Sequence, residues 1–104
     1  MTRKVNPQRG EIWIVNFDPT IGSEIQKSRP SVVLSINALS KAPHRIVVPI
    51  TGYNSKHERF PWCVPLQHNA RNGLDKDSTV DAAQVKCVSL QRFQKHIGSL
   101  PSAT

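Results

Sequence analysis

EIWIVNFDPTIGSEIQKSRPSVVLSI, residues 11 to 36, decides how this chain folds. In its first seven residues Ile12, Ile14 and Asn16 alternate with Glu11, Trp13, Val15 and Phe17. Both faces are therefore largely apolar, the pattern of a strand with neighbours rather than of an exposed ribbon. Asp18, Pro19 and Gly22 then supply turn chemistry. The polar run closes on Arg29-Pro30, after which SVVLSI (31–36) resumes as a second strand rich in β-branched residues. Strand, polar loop and strand in this order predict an antiparallel pair.

The same grammar continues outward. RIVVPIT (45–51) reads as a third buried strand. FPWCVPLQ (60–67) carries Pro61 and Pro65, which donate no ladder hydrogen bond, so this strand belongs at an edge or carries a bulge. STVDAAQVKCV (78–88) is a weaker fifth strand. Turn residues separate them: Ala42-Pro43, Gly52 to Ser55, and Asn72-Gly73. Near the end Ser89 can cap a helix in which Leu90, Phe93 and Ile97 recur before Gly98 and Pro101 stop it. The expectation is a mainly β fold: a small, strongly bent antiparallel sheet or partly open barrel, closed by a short C-terminal helix.

A chain of 104 residues has the size of one domain, here 1–104. No apolar run approaches a bilayer span, and the basic start lacks the apolar core of a signal peptide, so a cytoplasmic protein is expected. Cys63 and Cys87 lack CxxC spacing and read as free thiols. His44, His57, His68 and His96 are scattered without ligand spacing, so neither a metal nor any other cofactor is expected. Fourteen Lys and Arg against seven Asp and Glu give a formal charge of +7. Such a field favours an anionic partner, a nucleic acid or an acidic protein, although charge also serves solubility alone.

RGEIWIVNFDPTIGSEIQKSRPSVVLS (9–35), VVPIT (47–51) and GLDKDSTVDAAQVKCV (73–88), in that order, resemble the MazF/PemK family of toxin endoribonucleases. The opening block is the most specific part. The resemblance implies an SH3-like barrel, a homodimer, metal-independent cleavage of single-stranded RNA, and a cognate acidic antitoxin that covers the RNA groove. It puts the catalytic arginine on Arg29 and the catalytic threonine on Thr51. Loop residues near the scissile phosphate fall on Gly22, Ser23 and Glu24, and a groove position on Gln84. Asp81 departs from the apolar residue common in relatives.

The chemistry of these residue types fits RNA, which carries its own nucleophile in the 2′-hydroxyl. An enzyme then needs proton management, charge neutralisation and alignment. An arginine fork suits phosphoryl oxygens and stays charged, which makes it a poor base. Thr51 offers a hydroxyl on a stiff stem. Glu24 can take the 2′-hydroxyl proton or order its loop by pairing with Lys27, and the base stays unassigned. Attack by the 2′-oxygen leaves a 2′,3′-cyclic phosphate and a 5′-hydroxyl. Lys27, Lys56, Arg59, Arg71 and Lys76 lie in loops where they can track a phosphate backbone; Trp13 and Trp62 read first as core or interface packing, though Phe17 or Trp62 can stack a splayed base.

Taken singly these residues say less. Arg29 before a proline is an ordinary exposed residue of a strand-entry turn, Thr51 a strand end, Gly22 a turn and Gln84 a solvated position. Two other functions stay open: a CcdB-like gyrase poison, disfavoured because that branch ends in Trp-Gly-Ile and this chain in SLPSAT, and an RNA-binding barrel without catalysis.

Overall fold

The computed structural model describes residues 5–17, 28–37 and 41–101. Among them run seven antiparallel strands: β1 (Glu11–Asn16), β2 (Ser28–Val33), β3 (His44–Gly52), β4 (Cys63–Leu66), β5 (Ser78–Asp81), β6 (Lys86–Ser89) and β7 (Phe93–Ser99). The main path through the sheet is β4-β5-β3-β2-β1-β7, and β6 joins β3 beside it. β3 is the spine. One edge of it pairs with β2, and the other pairs first with β6 through His44–Val47 and then with β5 through Ile50–Gly52.

The two apolar faces of β1 have separate destinations. Ile12 joins Val32, Ile50 and Leu74 in one core cluster, while Val15 joins Phe17, Val33, Val47 and Phe93 in a second. Neighbouring residues of β2 and β3, Val32 and Val33 or Val47 and Val48, point to opposite sides of the pleat and are all buried. A sheet apolar on both sides must bend so that each face finds a cover, and the described elements do so. Arg45, 2% exposed, ties the N-terminal segment to β3 by hydrogen bonds to the Pro7 and Ala42 carbonyls and to Asn6 Oδ1.

Two expectations need correction. The C-terminal helix is absent: a single 3-10 turn, Leu90–Arg92, gives way to β7. Ser89 does cap that turn, its side chain accepting from the Gln91 N–H at 3.2 Å. Helical spacing would have put Phe93 and Ile97 on one face, yet they pack into different core clusters. Pairing with β1 settles the competition, because without β7 one edge of β1 would be left without a strand. The stretch 78–88 is also two strands rather than one. Asp81 accepts from Ala83 N–H and from Gln84 Nε2, both at 3.0 Å, and the capped turn Ala82–Gln84 carries the chain from one half of β3 to the other. The prolines of 60–67 behave as expected, since β4 lies at one edge of the sheet.

Candidate active site

Arg29 lies in β2 opposite Val15 of β1. On its other side the β2–β3 ladder runs Val33↔Val47, Val32↔Val48, Ser31↔Pro49. Carried two residues further, this register sets Arg29 opposite Thr51. Pro30 and Pro49 have no N–H to donate, which favours an end to the ladder here. A cleft of about 260 Å³ lies at this end, lined by Arg29, Pro30, Thr51, Gly52, Asp75 and Lys76 among others. Sequence neighbours in β strands alternate, so Arg29, Ser31, Pro49 and Thr51 share one face.

Arg29 is half-buried, and its Nε is fully buried with no acceptor among the described residues. Leaving such a donor unpaired costs about 1–3 kcal/mol, more for a charged group. Lys76 adds a second cation: its Cε and Nζ come within 3.3 Å of where a Cβ on Gly52 would stand. A side chain at position 52 would crowd the ammonium, so the glycine leaves it room.

The remaining sequence-derived candidates divide. Gly22, Ser23, Glu24 and Lys27 lie outside the described residues. Lys56 and Arg59 are exposed on the 3-10 turn Ser55–Arg59, which Asn54 caps through Oδ1 to the Lys56 N–H. Gln84 is half-buried and held by Asp81, which connects the departure at 81 to the orientation of a groove residue. Phe17 is only 6% exposed and packs in a core cluster; it does not line the Arg29–Thr51 cleft but a second cavity, with Lys86 and Arg92.

Of the two tryptophans, Trp13 is structural. It stacks on His96 at 5.2 Å, meets Phe93 edge-on, and donates from Nε1 to Glu11. Trp62 is 45% exposed and stacks on Phe60, itself 40% exposed, with ring centroids 5.0 Å apart. The backbone places this pair between the basic turn 55–59 and the turn holding Gln84: Phe60 N–H bonds to His57 O, and Ala82 N–H to Trp62 O. Phe60 escaped sequence reading because nothing in FPW signals that both rings stay out of the core.

One further residue was missed. His57 Nδ1 lies 3.0 Å from Thr79 Oγ1, and Thr79 is the cross-strand partner of Thr51. A lone histidine in a polar loop carries no spacing signal, so only the fold could reveal this contact. Among the described residues no three His, Cys, Asp or Glu side chains stand together as a metal-binding group.

A family model described as PemK-like, MazF-like toxin of type II toxin–antitoxin systems matches residues 8–104. Endoribonuclease MazF9 of Mycobacterium tuberculosis is 33% identical over 102 residues, covering 92% of this chain and 84% of that protein. Endoribonuclease toxin ChpB of Escherichia coli is 35% identical over 100 residues, covering 94% and 84%. The fold is shared with MazF from Deinococcus radiodurans, at TM-score 0.76 and 22% identity over 96% of this chain and 86% of that one. A mycobacterial endoribonuclease solved with its cognate antitoxin matches at TM-score 0.70 and 17% identity, covering 94% and 82%.

Proposed function

The chain belongs to the PemK-like, MazF-like toxins of type II toxin–antitoxin systems, and from that premise we propose that it is an endoribonuclease toxin, active in the cytoplasm on single-stranded RNA. The observation that carries the proposal is the meeting of Arg29 and Thr51 in one cleft, with a buried guanidinium nitrogen that lacks an acceptor among the described residues. In this reading the whole of 1–104 is one toxin domain.

Arg29, with Lys76 beside it, neutralises the charge that grows on the phosphoryl oxygens as the 2′-oxygen attacks. Thr51 holds one of those oxygens or the attacking group. The 2′-O–P bond forms, the P–O5′ bond breaks, and the products are a 2′,3′-cyclic phosphate and a 5′-hydroxyl. Lys56 and Arg59 track the flanking backbone, Gln84 meets a base edge, and the Phe60–Trp62 pair offers a stacking surface. Gly22, Ser23, Glu24 and Lys27 complete the first loop in this scheme. A homodimer is expected, and an acidic antitoxin is expected to compete with RNA for the same positive surface.

The test is incubation of purified protein with single-stranded RNA in EDTA, followed by mapping of 5′-hydroxyl ends. Intact RNA, or cleavage unchanged by Arg29→Ala, would refute the proposal. Binding without new ends would favour the non-catalytic RNA-binding barrel instead.

A further inference from the structure

Thr51 and Thr79 face each other across β3 and β5, so their side chains leave the sheet on the same side. Alternation along β2 from Ser31, which pairs with Pro49 of β3, puts Arg29 on that side as well. Thr51 and Thr79 are thus neighbours across one strand spacing, about 4.8 Å, and Arg29 shares the cleft with Thr51. His57 meets this pair at Thr79. Its turn, Ser55–Arg59, folds back after β3 and is fastened at both ends, by Asn54 at the start and by the Phe60 N–H to His57 O bond at the finish. The ring is half-buried and lines a small cavity with Tyr53, Cys63, Pro65 and Thr79. That cavity touches β5 at Thr79, and Thr79's cross-strand partner, Thr51, lines the Arg29 cleft.

Resting on the endoribonuclease reading, we propose that His57 is the base that takes the 2′-hydroxyl proton of RNA bound at Arg29 and Thr51. Thr79 is 1% exposed, so its bond to the imidazole is sheltered from water. In this role Nδ1 keeps its proton and donates to Thr79 Oγ1, which leaves the Nε2 lone pair as the acceptor. No described residue hydrogen-bonds to Nε2. In the step itself the 2′-hydroxyl proton passes to Nε2 as the 2′-oxygen bonds to phosphorus. The P–O5′ electron pair stays with the 5′-oxygen, which takes a proton from solvent, and the imidazolium then releases its own.

The ionisable groups around the ring are Lys56, Glu58 and Arg59 on its own turn, Tyr53 at the end of β3, Cys63 on β4 and Asp81 on β5. Glu58 is engaged by the Tyr53 hydroxyl. That contact raises the Tyr53 hydroxyl above its ordinary value, and burial, then the Asp81 carboxylate, raise the Cys63 thiol. Both shifts carry these two groups further from neutrality.

The experiment measures single-turnover cleavage in EDTA from about pH 5 to about pH 9. The wild-type rate should climb with unit slope on the acid side. His57→Gln should fall by about 100-fold or more and lose that limb, while binding of an uncleavable 2′-deoxy strand is kept. Added imidazole should restore cleavage to His57→Gly, which a structural role would not allow. Thr79→Val keeps the imidazole and loses its partner, so it should be slowed less than His57→Gln. Glu58→Gln should keep the limb. A His57→Gln protein that cleaves at the wild-type rate, or that keeps the acid limb, overturns the proposal alone. A wild-type protein that binds but never cleaves RNA overturns the endoribonuclease reading and this inference with it.

Discussion

Arg29 and Thr51 line one cleft just past Ser31↔Pro49, where the β2–β3 ladder ends. Residues 22 apart in sequence thus become neighbours at the end of a ladder flanked by two prolines. If the cleft neutralises phosphoryl charge, Thr51→Val, which keeps shape and loses only the hydroxyl, should slow cleavage by roughly 100-fold. Arg29→Lys keeps a charge but not the fork and should recover only a minor part of the activity lost in Arg29→Ala. Single-turnover rates at saturating protein separate these effects from binding. Full activity in Arg29→Lys would mean that charge alone, not bidentate geometry, is what the site needs.

The Phe60–Trp62 stack is exposed, and exposed stacked rings beside cations suit unpaired bases. Trp62→Ala should weaken binding of an uncleavable strand by about 1–3 kcal/mol, roughly 5-fold to 150-fold in Kd. In a Trp13→Phe background the remaining indole reports directly, and its fluorescence should be quenched on titration with RNA. Unaltered emission at saturation would remove the pair from the RNA path.

Lys56 and Arg59 sit on the same turn without an apolar burial role. Replacing both by alanine should lower the slope of log binding constant against log salt by about 1.4, since each single-strand phosphate contact contributes about 0.7. An unchanged slope with weaker binding would assign them to loop structure rather than to phosphates.

Gly73 has φ of +69°, and a Cβ there would stand 1.9 Å from the Ile97 carbonyl oxygen. The loop around it is pinned: Asn72, buried, accepts from the Asn69 and Leu74 N–H groups and donates to Gln67 O. Neither the loop nor β7 can yield without breaking these bonds or the Ser99 N–H to Arg71 O bond. Gly73→Ala should therefore destabilise by more than about 1 kcal/mol, the usual cost of a lost positive-φ glycine, with the clash added. Urea denaturation with an unchanged midpoint would contradict the packing.

The contrast between these sites shows what the sequence carries. Alternation over 11–17 and the two prolines of 60–67 are local signals, and they foretold a doubly covered strand and a strand at an edge or with a bulge. The family blocks named Arg29 and Thr51, two residues that line one cleft. The region after Ser89 misled because Leu90, Phe93 and Ile97 satisfy a helical period, while the need of β1 for a second neighbour is a property of the assembled sheet. The His57–Thr79 contact was invisible for the same reason: it depends on how β5 registers against β3, 22 residues away from the histidine.

Cys63 offers a check on the surroundings of that histidine. Burial is the larger cause of its raised thiol value, and the Asp81 carboxylate, opposite it in the β4–β5 register, is the second. Both disfavour the thiolate, so at pH 8 less of Cys63 is in the reactive form than in an ordinary thiol. Cys87 is exposed. Iodoacetamide should therefore modify Cys87 first, and the rate at Cys63 should keep climbing with pH beyond the range where a free cysteine has levelled off. Asp81→Asn removes the negative charge but keeps an oxygen to cap the turn at Ala83. It should bring the thiol value down and speed Cys63 alkylation at pH 8, though only in part, because burial remains. Peptide-resolved alkylation rates for the two cysteines measure this directly. Equal rates at Cys63 and Cys87, insensitive to Asp81→Asn, would mean that the β4 edge opens to water in solution and that the cavity beneath His57 is not closed.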